Sequence, residues 1–418
     1  MTTSLANLPV VGERRLAVKV TADALRQIRG GSPWLYDGSI TSLNHEGAAG
    51  DLAVVFDDRR KFAAIGLWDP TSPIRVKMLH VGSPTTIDAT WWHHRLAEAL
   101  ERRSALEADP GTTAYRCIHG ENDGLPGLVV DRYDTTLVVK LYSPAWFPHL
   151  QIVVDQLLAL VGPERVVLRL SRAVASGETF GLADGDTIFG PAPNQPVFFR
   201  ERGLTLEADV VHGQKTGHFL DQRDNRALVR GMAAGADVLD VFASTGGFSV
   251  SAAAGGAASV HLIDQSEPAL QTARRNLEHN HRIAEVRRCA VHTTTGDAFH
   301  VLADLARKGE QFDIVIVDPP AFASNRAAVP RALAAYGRLT RLALAVVRRG
   351  GTLVQASCSS RVGSDEFVEA VLNAADSVGA DVIETRRTGH AVDHPIGFEF
   401  GAYLKAVFLT VRSGPTRS

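Results

Sequence analysis

Cys358 stands directly after an apolar run in this 418-residue chain, which contains only three cysteines. The preceding stretch, "GTLVQAS", predicts a buried strand that ends in small residues. A thiolate at the end of such a strand would suit nucleophilic catalysis. A cysteine can equally well pack as a small side chain in a hydrophobic core. This stretch alone leaves both interpretations open.

A second reactive group follows another apolar run, in "FDIVIVDPPAFASN" (Phe312–Asn325). Asp318 is predicted at the mouth of a central strand, and the two prolines after it restrict the chain and remove N–H donors. Carboxylate and carbonyl oxygens on such a rigid rim suit contacts with a planar base, on which Phe322 would stack. A simple strand stop does not need Asp-Pro-Pro followed by an aromatic residue, so we favour the functional interpretation.

A glycine-containing turn lies in "DVLDVFASTGGFSVSAA" (Asp237–Ala253), between a predicted strand and a predicted helix. Gly246 and Gly247 would let the backbone approach a ligand at the helix N-terminus. The spacing matches neither GxGxxG nor a GxxxxGK[ST] phosphate loop, so NAD and ATP fit poorly. The turn alone is weak evidence for a ligand site.

Two further acidic residues follow the next two predicted strands. Asp264 ends "SVHLID", where its carboxylate would accept both hydroxyls of a ribose or would cap a helix. Asp297 in "TGDAF" would accept a hydrogen bond from the amine of adenine or would cap the helix that begins at Ala298. Each pair of alternatives is balanced locally. Together with Asp318, however, three acids at successive strand ends are hard to explain as independent caps.

The polar stretch "GQKTGHFLDQRDNR" (Gly213–Arg226) lies upstream of the glycine turn. Such a charge run usually marks a solvated helix start. Phe219 and Leu220 in its midst indicate instead a lid that partly covers a ligand.

Strand and helix patterns alternate from about Leu204 onward, which predicts a parallel sheet covered by helices on both faces. In such sheets ligands bind at the carboxyl ends of the strands. The first 80 or so residues predict a small, mostly β barrel, followed by a helix over Asp88–Leu106. A second unit is predicted from about Tyr115 to Phe199, with a helix at about Phe147–Val161. We therefore expect domains over residues 1–85, 86–200 and 201–418.

Composition is that of an ordinary globular protein, with 45% hydrophobic and 22% charged residues. Three scattered cysteines without a CxxC pattern argue against disulfides and structural zinc and fit a reducing cytoplasm, so we expect no metal. The N-terminus lacks the pattern of a signal peptide, and no stretch is long and apolar enough for a membrane helix. A formal net charge of −2 neither supports nor excludes a nucleic-acid partner.

The motifs "DVLDVFASTGGFSV", "IDQSEPAL", "GDAF" and "DPPAF" resemble, in order and spacing, the class I S-adenosylmethionine-dependent methyltransferases. The stretches "GQKTGHFLDQRDNR", "SCSSRV" and "AVDHP" narrow the resemblance to the bacterial 23S rRNA large-subunit cytosine-C5 methyltransferases, the RlmI-like proteins. "QIRGGSPWLYDGSI" is similar to the RNA-binding PUA domain of that family, and "GENDGLPGLVVDRYD" to its central domain. The resemblance covers nearly the whole chain.

The resemblance implies an α/β fold: a Rossmann-like methyltransferase domain preceded by a small PUA-like β barrel and a central α+β domain. It also implies S-adenosylmethionine as cofactor and RNA, specifically 23S rRNA, as partner in the cytoplasm, with a homodimer as one oligomeric state to consider. The methionine part of the cofactor would lie near Asp240, Phe242, Ala243 and Gly246, the ribose on Asp264 and the adenine beside Asp297. Phe219, Asp221 and Arg223 would close that pocket, and Asp318 and Pro319 would border the methyl group and the target base.

The same resemblance favours Cys358 as a nucleophile that adds to C6 of cytosine and so activates C5 for methylation. Two features depart from related enzymes. Many RNA cytosine-C5 methyltransferases have a second cysteine after the proline of the Asp318 motif, which "DPPAF" lacks, so the base that removes the C5 proton is unassigned. The basic residue that the family has after the prolines is Ala321 here. Two alternatives are a purine N-methyltransferase acting on RNA and a non-catalytic RNA-binding factor for ribosome assembly.

Overall fold

The computed structural model describes residues 4–323 and 325–415, so predictions that touch residues 1–3, 324 and 416–418 lie outside the described residues there. The chain forms two compact units. The first unit comprises the chain up to Arg200 together with Ala208–Leu220 and Val392–Glu399, and the second comprises Glu201–Glu207, Asp221–Ala391 and the chain from Phe400 onward. The predicted domain boundaries at residues 85 and 200 stay predictions.

A six-stranded sheet lies at the start of the first unit, in the order β2-β6-β5-β4-β1-β3. Its strands are β1 (Leu16–Val20), β2 (Trp34–Tyr36), β3 (Ile40–Leu43), β4 (Leu52–Phe56), β5 (Phe62–Trp68) and β6 (Ile74–Val81), with helix α1 (Ala22–Arg29) between β1 and β2. Only the β1–β4 pair is parallel. The Thr21 hydroxyl caps α1 by accepting from the N–H of Ala24. The mostly β character predicted for this segment is confirmed.

A five-stranded sheet follows in the first unit, in the order β11-β10-β9-β8-β7. Its strands are β7 (Ala114–His119), β8 (Leu128–Tyr133), β9 (Thr136–Leu141), β10 (Arg165–Leu170) and β11 (Thr187–Phe189), and its helices are α2 (Ala89–Glu101), α3 (Ser104–Glu107), α4 (Leu150–Val161) and α5 (Arg172–Ala175). Asp88 caps α2 by accepting from the N–H of Trp91 at 2.9 Å.

Helix α4 begins later than the predicted Phe147, because Pro144–His149 forms a 3-10 helix that contains Pro148. Proline has no N–H to give to a regular α-helix. At the other end, Gly162 (φ +63°) terminates α4, as a left-handed residue commonly does.

A β-hairpin follows the five-stranded sheet. Its strands are β12 (Val197–Glu201) and β13 (Leu204–Ala208). Arg202 and Gly203 both have positive φ, +48° and +82°, which is the backbone of a tight two-residue turn.

The second unit contains a seven-stranded sheet in the order β16-β15-β14-β17-β18-β20-β19. The strands are β14 (Asp237–Val241), β15 (Ser259–Asp264), β16 (Ala290–Thr295), β17 (Phe312–Val317), β18 (Val347–Ser357), β19 (Asp381–Thr388) and β20 (Lys405–Ser413). The helices are α6 (Arg223–Met232), α7 (Gly247–Ala254), α8 (Glu267–His279), α9 (Ala284–Arg288), α10 (Ala298–Lys308), α11 (Val329–Leu344) and α12 (Ser364–Asp376). Helix α7 contacts α6, α8 and α9, and α11 contacts α10 and α12, so the helices form two groups as expected for a sheet covered on two faces.

The sheet is parallel from β16 to β18, as predicted, but its further strand β20 runs antiparallel to both β18 and β19. Residues 389–404 join β19 to β20 without an α-helix, and adjacent parallel strands need a crossover that is usually helical. Strand order reverses between β14 and β17, so their carboxyl ends flank the crevice in which such sheets bind ligands.

Candidate active site

The turn between β14 and α7 has an unusual backbone that opens this crevice. Phe242 (φ +65°), Ser244 (φ +49°) and Gly246 (φ +76°) are all left-handed, a conformation that costs free energy for residues other than glycine. A Cβ atom at Gly246 would lie 2.6 Å from the Cβ of Ala273 on α8. Glycine at 246 therefore allows both the turn and the close approach of α8. Ala243 is buried in the same turn.

Asp240 lies on β14 and is buried. Its carboxylate accepts hydrogen bonds from the N–H of Ser249 at 3.1 Å and from the Ser249 hydroxyl at 2.7 Å. Burial raises the pKa of Asp240 to about 6, although these hydrogen bonds favour the charged form. Asp240 thus anchors the first turn of α7, which carries N–H groups without partners inside the helix.

Asp264 ends β15, and both of its carboxylate oxygens accept backbone hydrogen bonds. One accepts from the N–H of Ser244 in the turn and the other from the N–H of Ser266, each at 2.9 Å. The N-cap of α8 is Ser266 rather than Asp264. Each carboxylate oxygen can accept more than one hydrogen bond, so these contacts leave capacity for ribose hydroxyls.

Asp297 is the N-cap of α10 and accepts from the N–H of His300 at 3.1 Å. Its other oxygen accepts from Nε2 of Gln265 at 3.1 Å. The cap alternative is therefore present in the structure, while the contact with adenine stays a prediction.

Asp318 lies directly after β17, and its N–H donates to the carbonyl of Val241 at 3.3 Å. Its carboxylate accepts from Nε2 of Gln222 at 3.0 Å, and Gln222 in turn accepts from Asn225 at 2.6 Å. Gln222 is buried and joins the start of α6 to the Asp318 motif. Sequence reasoning placed Gln222 only in the charge run of a possible helix start, because only tertiary structure brings it to Asp318.

The neighbours of Gln222 are also buried, so the solvated-surface interpretation of this charge run does not hold for them. Asp221 accepts from the hydroxyl of Tyr403 at 2.8 Å, and its backbone carbonyl accepts from the N–H of Ala391. Arg223 is fully buried. Phe219 belongs to the first unit, where Nζ of Lys215 lies 4.5 Å from its ring centroid. The role of Phe219 in a lid stays a prediction.

Cys358 follows β18, and β18 pairs with β17. The Cys358 side chain is half-buried, and its Sγ lies 3.8 Å from the carbonyl oxygen of Pro319. The structure therefore brings Cys358 next to the Asp318 motif. By contrast, burial raises the pKa of Cys117 to about 12 and that of Cys289 to about 11, which keeps both as thiols near neutral pH.

Phe322 packs against the ring of Tyr336, with centroids 5.1 Å apart. The Tyr336 hydroxyl lies 2.8 Å from Oγ of Ser357, the residue before Cys358. Phe322 is thus fixed beside the end of β18, and its predicted stacking on a base stays a prediction.

Lys405 is a buried residue of this site that sequence reasoning missed. It pairs with Ser357 across β18 and β20, and its Nζ donates to the carbonyls of Ser359, Val362 (2.5 Å) and Tyr403 (3.2 Å). Burial lowers the pKa of Lys405 to about 8, whereas the nearby charge of Cys358 raises it. A lysine that opens the apolar strand "KAVFLTV" was the available signal, since lysine is almost never fully buried unless paired.

Among residues 4–323 and 325–415, no group of three or more His, Cys, Asp and Glu side chains could hold a metal ion, and no helix is long and apolar enough to cross a membrane. The expectations of no metal and of a cytoplasmic protein stay predictions.

Family models match two parts of the chain. Residues 189–399 match the S-adenosylmethionine-dependent methyltransferases, and residues 18–80 match a PUA-like domain. Both predicted assignments, and the α/β fold class with its N-terminal PUA-like domain, are confirmed.

Curated relatives match along nearly their whole length. A ribosomal RNA large subunit methyltransferase of Deinococcus radiodurans is 45% identical over 96% of this chain and 98% of its own. Ribosomal RNA large subunit methyltransferase I of Pseudoalteromonas translucida is 33% identical over 94% of this chain and 99% of its own. The protein of the same name from Escherichia coli is 32% identical over 89% and 93%.

Solved structures show the same fold. A methyltransferase solved with SAH is 21% identical, with a TM-score of 0.80 over 95% of this chain and 100% of its own. A Streptococcus mutans protein assigned to the S-adenosylmethionine-dependent methyltransferases is 20% identical, with a TM-score of 0.80 over 94% and 100%. At these identities the likeness supports the fold alone.

Proposed function

Because the chain belongs to the family of S-adenosylmethionine-dependent methyltransferases of large-subunit ribosomal RNA, we propose that it methylates C5 of a cytosine in 23S rRNA through a covalent adduct with Cys358. The observation that carries this proposal is the position of Cys358, whose Sγ lies 3.8 Å from the Pro319 carbonyl oxygen at the carboxyl ends of β17 and β18. The family consists of enzymes, so the non-catalytic alternative is not retained.

The residues at the strand ends fit the cofactor. Asp264 offers carboxylate oxygens for the ribose hydroxyls, and the left-handed turn ending at Gly246 would border the methionine part. Asp240, Phe242 and Ala243 would line that part, and Asp297 would lie beside the adenine. Asp221 and Arg223 would close the pocket. Bound S-adenosylmethionine supplies the electrophilic methyl group and leaves as S-adenosylhomocysteine.

The chain's own chemistry centres on Cys358. Its thiolate adds to C6 of cytosine, which moves the electron pair of the C5–C6 double bond to C5 and makes that carbon nucleophilic. After C5 has gained the methyl group, a base removes the C5 proton, the C5–C6 double bond re-forms and the thiolate leaves C6. Asp318, held by Gln222, and Pro319 would border and orient the base during these steps.

Lys405 supports the thiolate in this scheme. Its ammonium is buried beside the segment that follows Cys358, and the two side chains are close enough for their charges to interact. A nearby cation favours a thiolate over a thiol. The hydrogen bonds that Lys405 donates to the carbonyls of residues 359 and 362 also fix the backbone immediately after the nucleophile.

The decisive test is Cys358→Ser with wild-type protein as reference. We expect the variant to fold and bind S-adenosylmethionine normally but to methylate rRNA more slowly by several orders of magnitude, measured by mass spectrometry of nucleosides. RNA that contains 5-fluorocytidine should trap wild-type protein, because the fluorine at C5 cannot leave as a proton does. Cys289→Ser is the matched control and should behave as wild type.

The same experiment separates the purine alternative. An exocyclic amine attacks a methyl group directly and needs no thiolate, so purine N-methylation predicts a near-normal rate in Cys358→Ser and no trapped complex. Either outcome would reject the covalent mechanism and return Cys358 to the role of a core residue.

A further inference from the structure

Two lysines and two aromatic rings form a row of contacts in the first unit. Nζ of Lys215 lies 4.5 Å from the ring centroid of Phe219, and Nζ of Lys140 donates to the carbonyl of Lys215 at 2.9 Å. The same Nζ of Lys140 lies 5.6 Å from the ring centroid of Tyr142. We call Lys140, Tyr142, Lys215 and Phe219 the lysine–aromatic row.

The row is built on fixed backbone. Lys140 lies on β9 and Tyr142 directly follows that strand, with its N–H bonded to the carbonyl of Gly127 at 2.9 Å. The loop that carries Lys215 is fastened by Arg169, which donates to the carbonyls of Val210 and Gly213 at 3.3 and 3.1 Å. The next residue, Thr216, donates to Asp131 at 2.6 Å. Such anchoring pre-organises a binding surface.

Charged groups of both signs surround the row. Arg169 pairs with Asp184, and Arg116 pairs with Asp131, so these arginines have acidic partners. The acceptor of Lys140 is instead a neutral carbonyl. Burial lowers the pKa of Lys140, as do the charges of Arg169 and Lys215, whereas the carboxylates of Asp184 and Asp131 raise it. The ammonium groups of Lys140 and Lys215 would themselves complement an anionic ligand.

Tyr142 is 51% exposed although it lies in this anchored row. Proteins that bind unpaired nucleic acid combine cations for the phosphates with aromatic rings on which bases stack. A duplex keeps its base faces stacked internally and offers no such partner to a tyrosine. An acidic peptide would satisfy the lysines but would gain little from the exposed ring.

We propose that the lysine–aromatic row binds an unpaired RNA strand, with Tyr142 stacked on a base and Lys140 and Lys215 near phosphates. This inference rests on the proposed function only for RNA as the substrate class. It adds an RNA surface on the five-stranded sheet, outside the PUA-like segment.

The test measures binding by full-length protein without turnover. The probe is a fluorescein-labelled single-stranded oligoribonucleotide of mixed sequence, followed by anisotropy, with its duplex and polyglutamate as competitors. Tyr142→Ala should weaken binding by at least about fivefold, because stacking contributes about 1–3 kcal/mol per base. Tyr142→Trp, which keeps a stacking face, should stay close to wild type. Lys215→Gln should make the salt dependence shallower by about 0.7 in log–log slope per phosphate contact.

Phe189→Ala is the matched control, because Phe189 is 38% exposed on β11 of the same sheet but is not part of the row. It should bind RNA as wild type does, and Tyr142→Ala should bind S-adenosylmethionine as wild type does. Unchanged RNA affinity in Tyr142→Ala, or an equal loss in Phe189→Ala, would overturn the proposal.

Two further outcomes would also count against it: equal competition by duplex or polyglutamate, and loss of cofactor binding in Tyr142→Ala with RNA binding intact. The former would indicate a general anion surface, and the latter would assign Tyr142 to the cofactor pocket. If wild-type protein fails to methylate cytosine, the proposed reaction is wrong, but the binding measurements still decide the role of the row.

Discussion

Lys405 shows how much of the chemistry of this site depends on one buried side chain. It donates to three backbone carbonyls, two of which lie in the segment after Cys358. Burial lowers the pKa of Lys405 to about 8, whereas the charges of Cys358 and Glu366 raise it. The ammonium is therefore present below about pH 8 and is lost as pH rises through that value.

We predict a pH-dependent effect of Lys405→Met on the reactivity of Cys358. Because the ammonium favours the thiolate, wild-type Cys358 should react with iodoacetamide faster than the variant below about pH 8, and the two rates should converge above it. Lys405→Arg keeps a charge at every accessible pH, so its rate should not converge with that of Lys405→Met. Labelling is measured by mass spectrometry of the Cys358 peptide.

A purely structural role for Lys405 gives a different result. It predicts that the ratio of the wild-type labelling rate to the Lys405→Met labelling rate does not vary with pH, or that the Lys405→Met protein loses the near-ultraviolet circular dichroism of the wild type. In the second case the comparison of wild type with Lys405→Arg alone still decides whether the ratio depends on pH.

Sequence reasoning identified the site residues that directly follow apolar runs. It missed the residues that only the tertiary structure brings to the site. Asp264, Asp318 and Cys358 were predicted at strand ends because a buried parallel strand is a legible run of apolar residues. Gln222 lies 96 residues from its partner Asp318, and no local pattern signals that contact. The sequence also could not decide whether Asp297 caps α10, since a cap and a ligand contact require the same side chain.

The turn from β14 to α7 is the element on which the proposed cofactor site depends. Its left-handed residues bring the chain back over the strand end, and Asp264 holds the turn through the N–H of Ser244. The sequence predicted this motif from the glycines between a strand and a helix. It did not predict the close approach of Gly246 to α8, because that contact depends on how α8 packs.

We predict that Gly246→Ala destabilises this element. The new Cβ would meet Ala273 at 2.6 Å in a backbone with φ +76°, and strain in that region costs about 1–3 kcal/mol. Gly231→Ala on α6 is the control, since no heavy atom lies within 4 Å of its added Cβ and alanine favours helices by about 1 kcal/mol. Calorimetry should show a lower melting temperature and weaker S-adenosylmethionine binding for Gly246→Ala only. Wild-type values for both quantities would show that the turn tolerates a side chain.

At the scale of the strands, the sequence predicted the parallel part of the sheet but not its last two strands, β19 and β20. Runs such as "DVLDVF" and "FDIVIVD" are buried on both faces and are therefore recognisable. Strand β19 has the sequence DVIETRRT and is largely exposed, so its composition resembles a loop. The direction of β20 follows from its connection to β19, which periodicity does not report.

At the scale of the whole molecule, the two sheets of the first unit share buried contacts that sequence reasoning did not foresee. Leu67 of β5 and Leu79 of β6 belong to the hydrophobic core of the five-stranded sheet. Asp69 accepts from Lys77 at 2.9 Å and from Ser143, which lies 74 residues away, at 2.6 Å. The two sheets are formed by successive segments of the sequence, and they therefore share one hydrophobic core.

This shared core changes how RNA binding by the PUA-like segment should be tested. Removing residues 1–85 would expose Ser143 and His149, whose ring contacts the carbonyl of Gly50 at 2.8 Å. A loss of RNA affinity after such a deletion would mix a lost surface with a destabilised neighbour. Point substitutions in the full chain avoid that ambiguity.

We predict that Asp69→Asn destabilises both sheets of the first unit together. Removing one partner of a buried ion pair typically costs about 3–5 kcal/mol, because the other charge stays buried. Hydrogen exchange followed by mass spectrometry should show faster exchange in β5 and β6 and also in β8 and β9. Asp23→Asn on α1 is the control: its ion pair with Arg26 is exposed, and such pairs contribute about 0–1 kcal/mol.

The pKa of Asp69 determines how the stability difference between wild type and Asp69→Asn should change with pH. Burial raises the pKa of Asp69, but Lys77 and the Ser143 hydroxyl outweigh it, so the folded-state pKa lies below the ordinary value of 3.8. The stabilisation is then complete above about pH 4 and is lost as pH falls through the folded-state pKa. Wild type should lose its advantage over Asp69→Asn under acid conditions. If exchange rises only in β5 and β6, the two sheets are not coupled through Asp69. If the advantage persists in acid, the ionised carboxylate of Asp69 is not the source of the stabilisation.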